Sequence, residues 1–331
     1  MLVSIMKKIA IIGLGSIAKR HAENIKTIYP DSVILGVSSS GNLSSTHIQN
    51  IDRLSTDIRQ CKEFHPEFAI VASPATFHLQ HAKYLLEANI PVLIEKPIAA
   101  NSDDALLLIS TCMKANLPAS VGYCLRYLPA ASVMKMILEQ KEIGTIYNVM
   151  SHVGQFLPDW RTDKDHQFTV SASKKLGGGA LLELSHELDY LQWLLGELDL
   201  KYAMLRHSQE LKLEVEEIAD LMLTTPTGVV CNVHMDFIQK KPQRYCEMIG
   251  EKGRVVWNLL ENRISIFSKN DEHIVFNQPS WDKNNMYMFM LREFIRRVEV
   301  HDINHEILMD AHRTIKLIET IKSKADWGVT L

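Results

Sequence analysis

Short apolar runs alternate with amphipathic stretches through the first third of the chain. "KIAIIG" (8–13), "VILGV" (33–37), "FAIVAS" (68–73), "PVLIEK" (91–96) and "ASVGYC" (119–124) are brief and almost wholly apolar, the pattern of strands buried on both faces. Helical patterns lie between them over 16–29, 77–88 and 102–115. The last opens on Ser102 as its N-cap, with acidic residues in the first turn. Buried strands separated by helices predict a parallel sheet covered on both sides.

After residue 125 the period changes. Residues 128–144 form an amphipathic helix with Pro129 near its start and Gly144 at its end. "TIYNVMSHVGQF", "KYAMLRHSQ", "EIADLMLTTPTGVVCNVHMDF" and "RYCEMIGEKGRVVWNLLENRISIFS" then alternate as antiparallel strands do, with "TPTG" and "GEKG" at hairpin spacing. Helical patterns over 285–300 and 304–323 close the chain. The fold class is therefore α/β. A Rossmann dinucleotide-binding domain is expected over 1–125. Residues 126–331 are expected to form an α+β domain built on an open, mainly antiparallel sheet, with final helices able to pack back on the first domain. A length of 331 residues exceeds what one core usually supports, which agrees with two domains.

Composition narrows the function. The chain is 46% hydrophobic and 23% charged, with a net charge of −3 and no clustered basic face, so nucleic acid is not an expected partner. No apolar run reaches the roughly 18 residues that span a bilayer. "IAII", after the two lysines near the start, is shorter than the roughly 7 to 15 residues of a signal-peptide core. No membrane partner is expected, and the opening segment reads as a first strand. Five scattered cysteines without a CxxC pair indicate a reducing cytoplasm rather than a disulfide framework or zinc knuckle.

The first strand and helix are joined by "GLGSIAKRH", a G-x-G-x-x-A loop. Gly13 permits the turn, Gly15 lets the backbone approach a pyrophosphate, and Ala18 allows close helix–sheet packing. Ser16 and Ile17, between them, are expected to contact the same cofactor. The second strand ends in Ser38, Ser39 and Ser40, without an acid to bond a ribose 2′-hydroxyl or an adjacent arginine. NAD and NADP both remain open, with a slight preference for NADP because no carboxylate repels its phosphate.

"VLIEKPIAA" sets Glu95 and Lys96 at the carboxyl end of a strand, the edge where open α/β sheets bind ligands. A lysine there reads either as an acid/base group beside the cofactor or as a solvated turn residue. In "LGGGALLELSHELDY" (176–190) the glycines delay the helix to about Ala180. Leu181, Leu184, Leu188, Leu191 and Leu195 then line one face. His186 falls on another side, three residues after Glu183, so a carboxylate–imidazole pair facing a ligand competes with an ordinary exposed histidine.

Arg126 in "LRYLP" and the pair Trp160–Arg161 are candidate substrate contacts, a planar cation and a flat ring suited to phosphate and sugar. Arg244 and Tyr245 are weaker candidates. "DWRTDKDHQ" gathers acids and a histidine but lacks a calcium-loop frame, and His78 with His81 lacks further ligands, so no metal is expected. No Walker lysine or GxSxG nucleophile occurs.

"GLGSIAKRH", "SPATFH" (73–78), "EKP" (95–97), "GYCLRYLP" (122–129) and "GGGALLELSHELD" (177–189) follow one another as in the Gfo/Idh/MocA oxidoreductases, which the chain resembles over almost its whole length. The resemblance implies hydride transfer between a sugar or polyol hydroxyl and a nicotinamide. It places Lys96 at the catalytic and cofactor-contacting position. Glu95, Ser73, Pro74 and His78 fall beside the cofactor, and Tyr123, Arg126, Trp160, Arg161, Glu183 and His186 beside the substrate. Many family members carry an aspartate where this chain has Leu182, so either Lys96 or His186 is the main proton carrier. Members with similar "DWR…GGG…LELSHELDY" segments point to a nucleotide-linked or amino sugar of surface-glycan synthesis. The resemblance also implies that residues 126–331 serve substrate binding and oligomerisation, and that the chain forms a homodimer or homotetramer. The alternative is a regulatory protein that binds the dinucleotide without turnover.

Overall fold

The computed structural model of the chain describes residues 7–43, 45–161 and 165–330. Two compact units emerge. The first runs through Cys124 and takes in Asn284–Ile315; the second comprises Leu125–Lys283 and the segment from Lys316 onward.

In the first unit, β1 (Lys8–Ile12), β2 (Val33–Val37), β3 (Arg53–Ser55), β4 (Phe68–Val71), β5 (Val92–Ile94) and β6 (Ala119–Val121) form one parallel sheet in the order β3-β2-β1-β4-β5-β6. Ile9 to Ile12, Ala69 to Val71 and Val92 to Ile94 are fully buried, which explains their unbroken apolar runs. The helices are α1 (Ser16–Ile28), α2 (Gln60–Phe64), α3 (His78–Glu87) and α4 (Ser102–Ala115). The short β3 and α2 carry no sequence period and were not anticipated. The cap of α4 is Asn101 rather than Ser102: its side chain accepts from the Asp104 amide at 2.8 Å, while Ser102 Oγ lies 2.9 Å from His312 Nε2.

In the second unit, α5 (Pro129–Glu139) is followed by β7 (Ile146–Gly154), α6 (Ala180–Glu183) and α7 (His186–Leu195). The strands β8 (Asp199–Arg206), β9 (Ile218–Thr224), β10 (Val230–Asp236), β11 (Gln243–Gly250), β12 (Gly253–Asn258), β13 (Arg263–Phe267) and β14 (Glu272–Asn277) come next. Helices α8 (Asn285–Glu299) and α9 (Glu306–Lys324) and the short β15 (Asp326–Trp327) end the chain. The sheet order is β14-β13-β12-β11-β7-β10-β9-β8-β15. Both expected hairpins form, β9–β10 and β11–β12. The sheet is mainly antiparallel, as expected, with two parallel pairings, β7 with β10 and β8 with β15.

Helix α8 belongs to the first unit. Phe294 packs edge-on against Phe68, and Arg297 Nη1 donates to the Ala119 carbonyl at 3.0 Å. All five cysteines are buried, and none forms a disulfide. Among the described residues no helix is long and apolar enough to cross a membrane.

Candidate functional site

The carboxyl ends of β2, β1, β4 and β5 stand side by side and carry the candidate cofactor residues of the first unit. Gly13 leaves β1 with φ +106, its amide donating to the Val37 carbonyl at 2.8 Å. A Cβ there would collide with the Ala72 carbonyl at the end of β4, so only glycine closes this turn. Gly15 caps α1 without a side-chain hydrogen bond, and a Cβ on it would meet nothing within 4 Å. The loop thus presents the free amides of a 13-residue helix to open space, as a pyrophosphate site requires. Ser16 is exposed, Ile17 half-buried, and Ala18 fully buried against the sheet. Ser38 and Ser39 are half-buried at the end of β2, with Ser38 Oγ bonded to the Asn42 carbonyl.

Lys96 is half-buried just beyond β5, and its peptide bond to Pro97 is cis. Glu95, before it, turns inward. Its Oε1 lies 2.6 Å from His21 Nε2 on α1, and its Oε2 accepts from the Lys96 amide at 3.2 Å. Burial pushes the Glu95 carboxyl up, but the His21 hydrogen bond and charge outweigh it and hold it below its usual range. A Cβ on Gly122 would press on this carboxylate at 3.0 Å, so Gly122 leaves the room it occupies. His21 meets Tyr287 edge-on at 6.3 Å between ring centres. Lys96 is therefore set on a backbone tied to α1 through a buried pair. Only its place at the end of "GLGSIAKRH" marks His21 in the sequence; nothing local announces its partner Glu95.

His78 is 1% exposed, with Nδ1 2.9 Å from the Pro97 carbonyl and Nε2 2.8 Å from the Ser73 carbonyl. Its ring links the turns that follow β4 and β5. Burial holds it below the ordinary histidine range. Ser73 is buried with its hydroxyl 3.0 Å from His81 Nδ1, whereas Pro74 is half-buried. Tyr123 is fully buried as well, because it follows β6 directly into the core.

In the second unit, the expected single helix from Ala180 is interrupted at Leu184 and Ser185, so His186 is the first residue of α7. Gly179, at φ +105, passes over the Glu216 carboxylate, whose Oε1 receives the Leu181 amide at 3.2 Å. Helix α7 is not amphipathic: Glu187, Leu188, Asp189, Tyr190, Leu191 and Gln192 are all buried. Its acids are matched. Arg244 grips Glu187 with bonds of 2.7 and 3.0 Å, and Arg126 grips Asp189 with 2.9 and 2.7 Å. Tyr190 completes the anchoring through Ser151 at 2.7 Å. From Gly177 to Gln192 only Glu183 and His186 retain access to solvent.

The Arg126 edge expected to meet substrate is thus committed to Asp189, and its side chain is 10% exposed. Arg244 is likewise a structural clamp. Trp160 packs edge-on against Phe237 at 5.4 Å, while Arg161 is exposed. Residues 162–164 of "DWRTDKDHQ" lie outside the described residues. His152, His234 and Asp236 form a further cluster that the sequence does not announce, because the β7–β10 pairing brings them together.

Two family models match the chain: an oxidoreductase family with an NAD-binding Rossmann fold over residues 7–123, and the GFO/IDH/MocA C-terminal domain over 132–256. Among curated relatives, glucose-6-phosphate 3-dehydrogenase of Bacillus subtilis is 26% identical over 271 residues, 79% of this chain and 69% of that protein. The dTDP-3,4-didehydro-2,6-dideoxy-alpha-D-glucose 3-reductase of Saccharopolyspora spinosa is 27% identical over 56% of this chain and 54% of its own. A 3-ketoreductase from Actinomadura kijaniata, solved with NADP and TDP-benzene, superposes with a TM-score of 0.82 over 99% of this chain and 100% of that one. At 17% identity that likeness speaks for the fold alone.

Proposed function

The chain belongs to the Gfo/Idh/MocA family of NAD(P)-binding oxidoreductases, and we propose that it moves a hydride between C3 of a hexose derivative and the nicotinamide. Support for C3 comes from relatives that differ in their sugars yet share that position in their names. Two of them are named for a phosphate- or nucleotide-bearing sugar, so the proposed substrate is a sugar phosphate or nucleotide-linked hexose.

The observation that carries the reading is the carboxyl edge of the first sheet, where an uncapped helix start with open space over Gly15 follows β1, and a firmly seated Lys96 follows β5, two strands away across β4. A bound dinucleotide supplies the hydride acceptor in oxidation or the donor in reduction. The amides of α1 would hold the pyrophosphate, and Ser38 and Ser39 the adenosine ribose, where the lack of a carboxylate would admit a 2′-phosphate. Lys96 and His186 take the proton of the reacting hydroxyl in oxidation and return it in reduction, and Glu183 orients the imidazole.

The test is turnover of glucose 6-phosphate, dTDP-hexoses and UDP-hexoses bearing deuterium at C3, each with NAD and with NADP. Transfer of the label to the nicotinamide is expected for at least one sugar. Label retained on the sugar during turnover contradicts the position. Tight dinucleotide binding without turnover of any sugar favours the regulatory alternative.

A further inference from the structure

Four strands of the second unit set polar side chains in one row across the outward face of its sheet. Pairing places Tyr245 of β11 opposite His152 of β7, His152 opposite His234 of β10, and His234 opposite Asp220 of β9. The residues alternating with them, such as Ser151, Val153, Val233 and Met235, are buried. Side chains two apart on a strand share a face, so the next outward pair is Gly154 opposite Asp236. The sequence carries this as H-x-G on β7 and H-x-D on β10.

Gly154 has a specific consequence. A Cβ there would collide with Asp236 Oδ2 and with Gln239 Oε1, so two oxygens converge on bare backbone beside two imidazoles. Asp236 is 2% exposed and precisely oriented by its neighbours: Oδ1 accepts from the amides of Ile238 and Gln239, each at 2.8 Å. That leaves Oδ2 at 2.9 Å from His234 Nε2. Gln239 Oε1 lies 2.8 Å from His152 Nε2. Behind the row, Asp220 Oδ1 lies 2.6 Å from His234 Nδ1.

We propose that His152, His234 and Asp236 form a binding site for a divalent cation of the zinc type. Their ligand atoms already lie within 4.8 Å of one another, and rotation of the half-buried His152 ring brings its nitrogen toward the other two. Two imidazoles and one carboxylate suit zinc or cobalt, with bonds of about 2.0–2.2 Å, whereas calcium and magnesium call for oxygen-rich shells. Gln239 Oε1 or a water completes the tetrahedron. Asp220 is the outer partner that fixes the His234 ring, as carboxylates do behind ligating histidines. The ion takes the place of the proton between His234 Nε2 and Asp236 Oδ2, and that proton leaves to solvent. The cation ties β7 to β10 and to the turn at 236–239. This site does not depend on the proposed reaction.

The test uses the full chain without an affinity tag, stripped with chelator and titrated with Co²⁺ alone, then with Zn²⁺ in competition. One equivalent of cobalt with the intense visible band of tetrahedral coordination is expected, displaced by zinc. His152→Gln and His234→Gln each lower cobalt affinity tenfold or more, and Asp220→Asn weakens it by about 10–100-fold. Because the wild-type chain is itself the primary sample, a folding defect in a variant does not blunt the result. Absence of saturable cobalt binding in the wild type overturns the proposal, as does an unchanged band in either histidine variant.

Discussion

His21 Nε2 lies 2.6 Å from Glu95 Oε1, and both side chains are buried, so the first helix is tied to the residue immediately before Lys96. Removing one partner strands the other in the core. His21→Leu is expected to cost about 3–5 kcal/mol in urea unfolding and to lower turnover, since Lys96 loses its seat. Glu95→Gln, which keeps a hydrogen-bond acceptor, is expected to cost less. A His21→Leu protein with unaltered unfolding midpoint contradicts this role.

The two loop glycines are predicted to fail differently. Gly13→Ala adds a Cβ where φ is +106 and the Ala72 carbonyl stands in the way, so a fall in stability on the order of 3 kcal/mol is expected. Gly15→Val adds its bulk to open space at an extended backbone position. Its unfolding midpoint is expected to stay nearly unchanged while NAD(P)H affinity, followed by fluorescence titration, drops tenfold or more. Retained affinity in Gly15→Val contradicts the assignment of the pyrophosphate to this loop.

Arg126 is predicted to act on stability. Asp189 is 1% exposed and accepts two bonds from this guanidinium, so Arg126→Ala removes its charge partner from a buried carboxylate, at about 3–5 kcal/mol. Arg126→Lys is not expected to restore it, because an ammonium cannot reproduce the fork. A rise in KM for the sugar with an unchanged melting temperature points instead to direct substrate contact.

Acid is predicted to weaken the first unit between about pH 6.5 and 4. Burial pushes His81 down to about 4 from an ordinary 6.5, and burial also lowers His78. The unfolded chain therefore binds more protons than the folded one in that window. Stability is full above the unfolded value and is lost as pH falls through the folded one, with His81 accounting for up to about 3 kcal/mol. Unfolding free energy against pH measures it, and His81→Gln is expected to flatten the slope.

The parallel sheet of the first unit and the glycine loop were legible because apolar runs and glycine positions are local signals, whereas the order of the strands was not. The helix at 180–195 was read as one amphipathic element, and there the local signal misled. Its leucine stripe is real, but Glu187 and Asp189 are buried too, each matched by an arginine 57 or 63 residues away. No periodicity announces a buried ion pair of that separation. His21 and Glu95 stand 74 residues apart, and His152 and His234 meet through a parallel strand pairing, so both groupings exist only once the chain is folded. Glu183 and His186 differ from their neighbours in being only half-buried, which no periodicity of the segment announces either.

The central claim is that Lys96 serves the reacting hydroxyl. Single-turnover hydride transfer, followed by nicotinamide absorbance with a substrate that the panel identifies, addresses it most directly. Lys96→Ala is expected to bind NAD(P)H and keep its unfolding midpoint while the transfer rate falls by roughly 10²–10⁴-fold. A Lys96→Ala protein that transfers hydride at the wild-type rate contradicts the account.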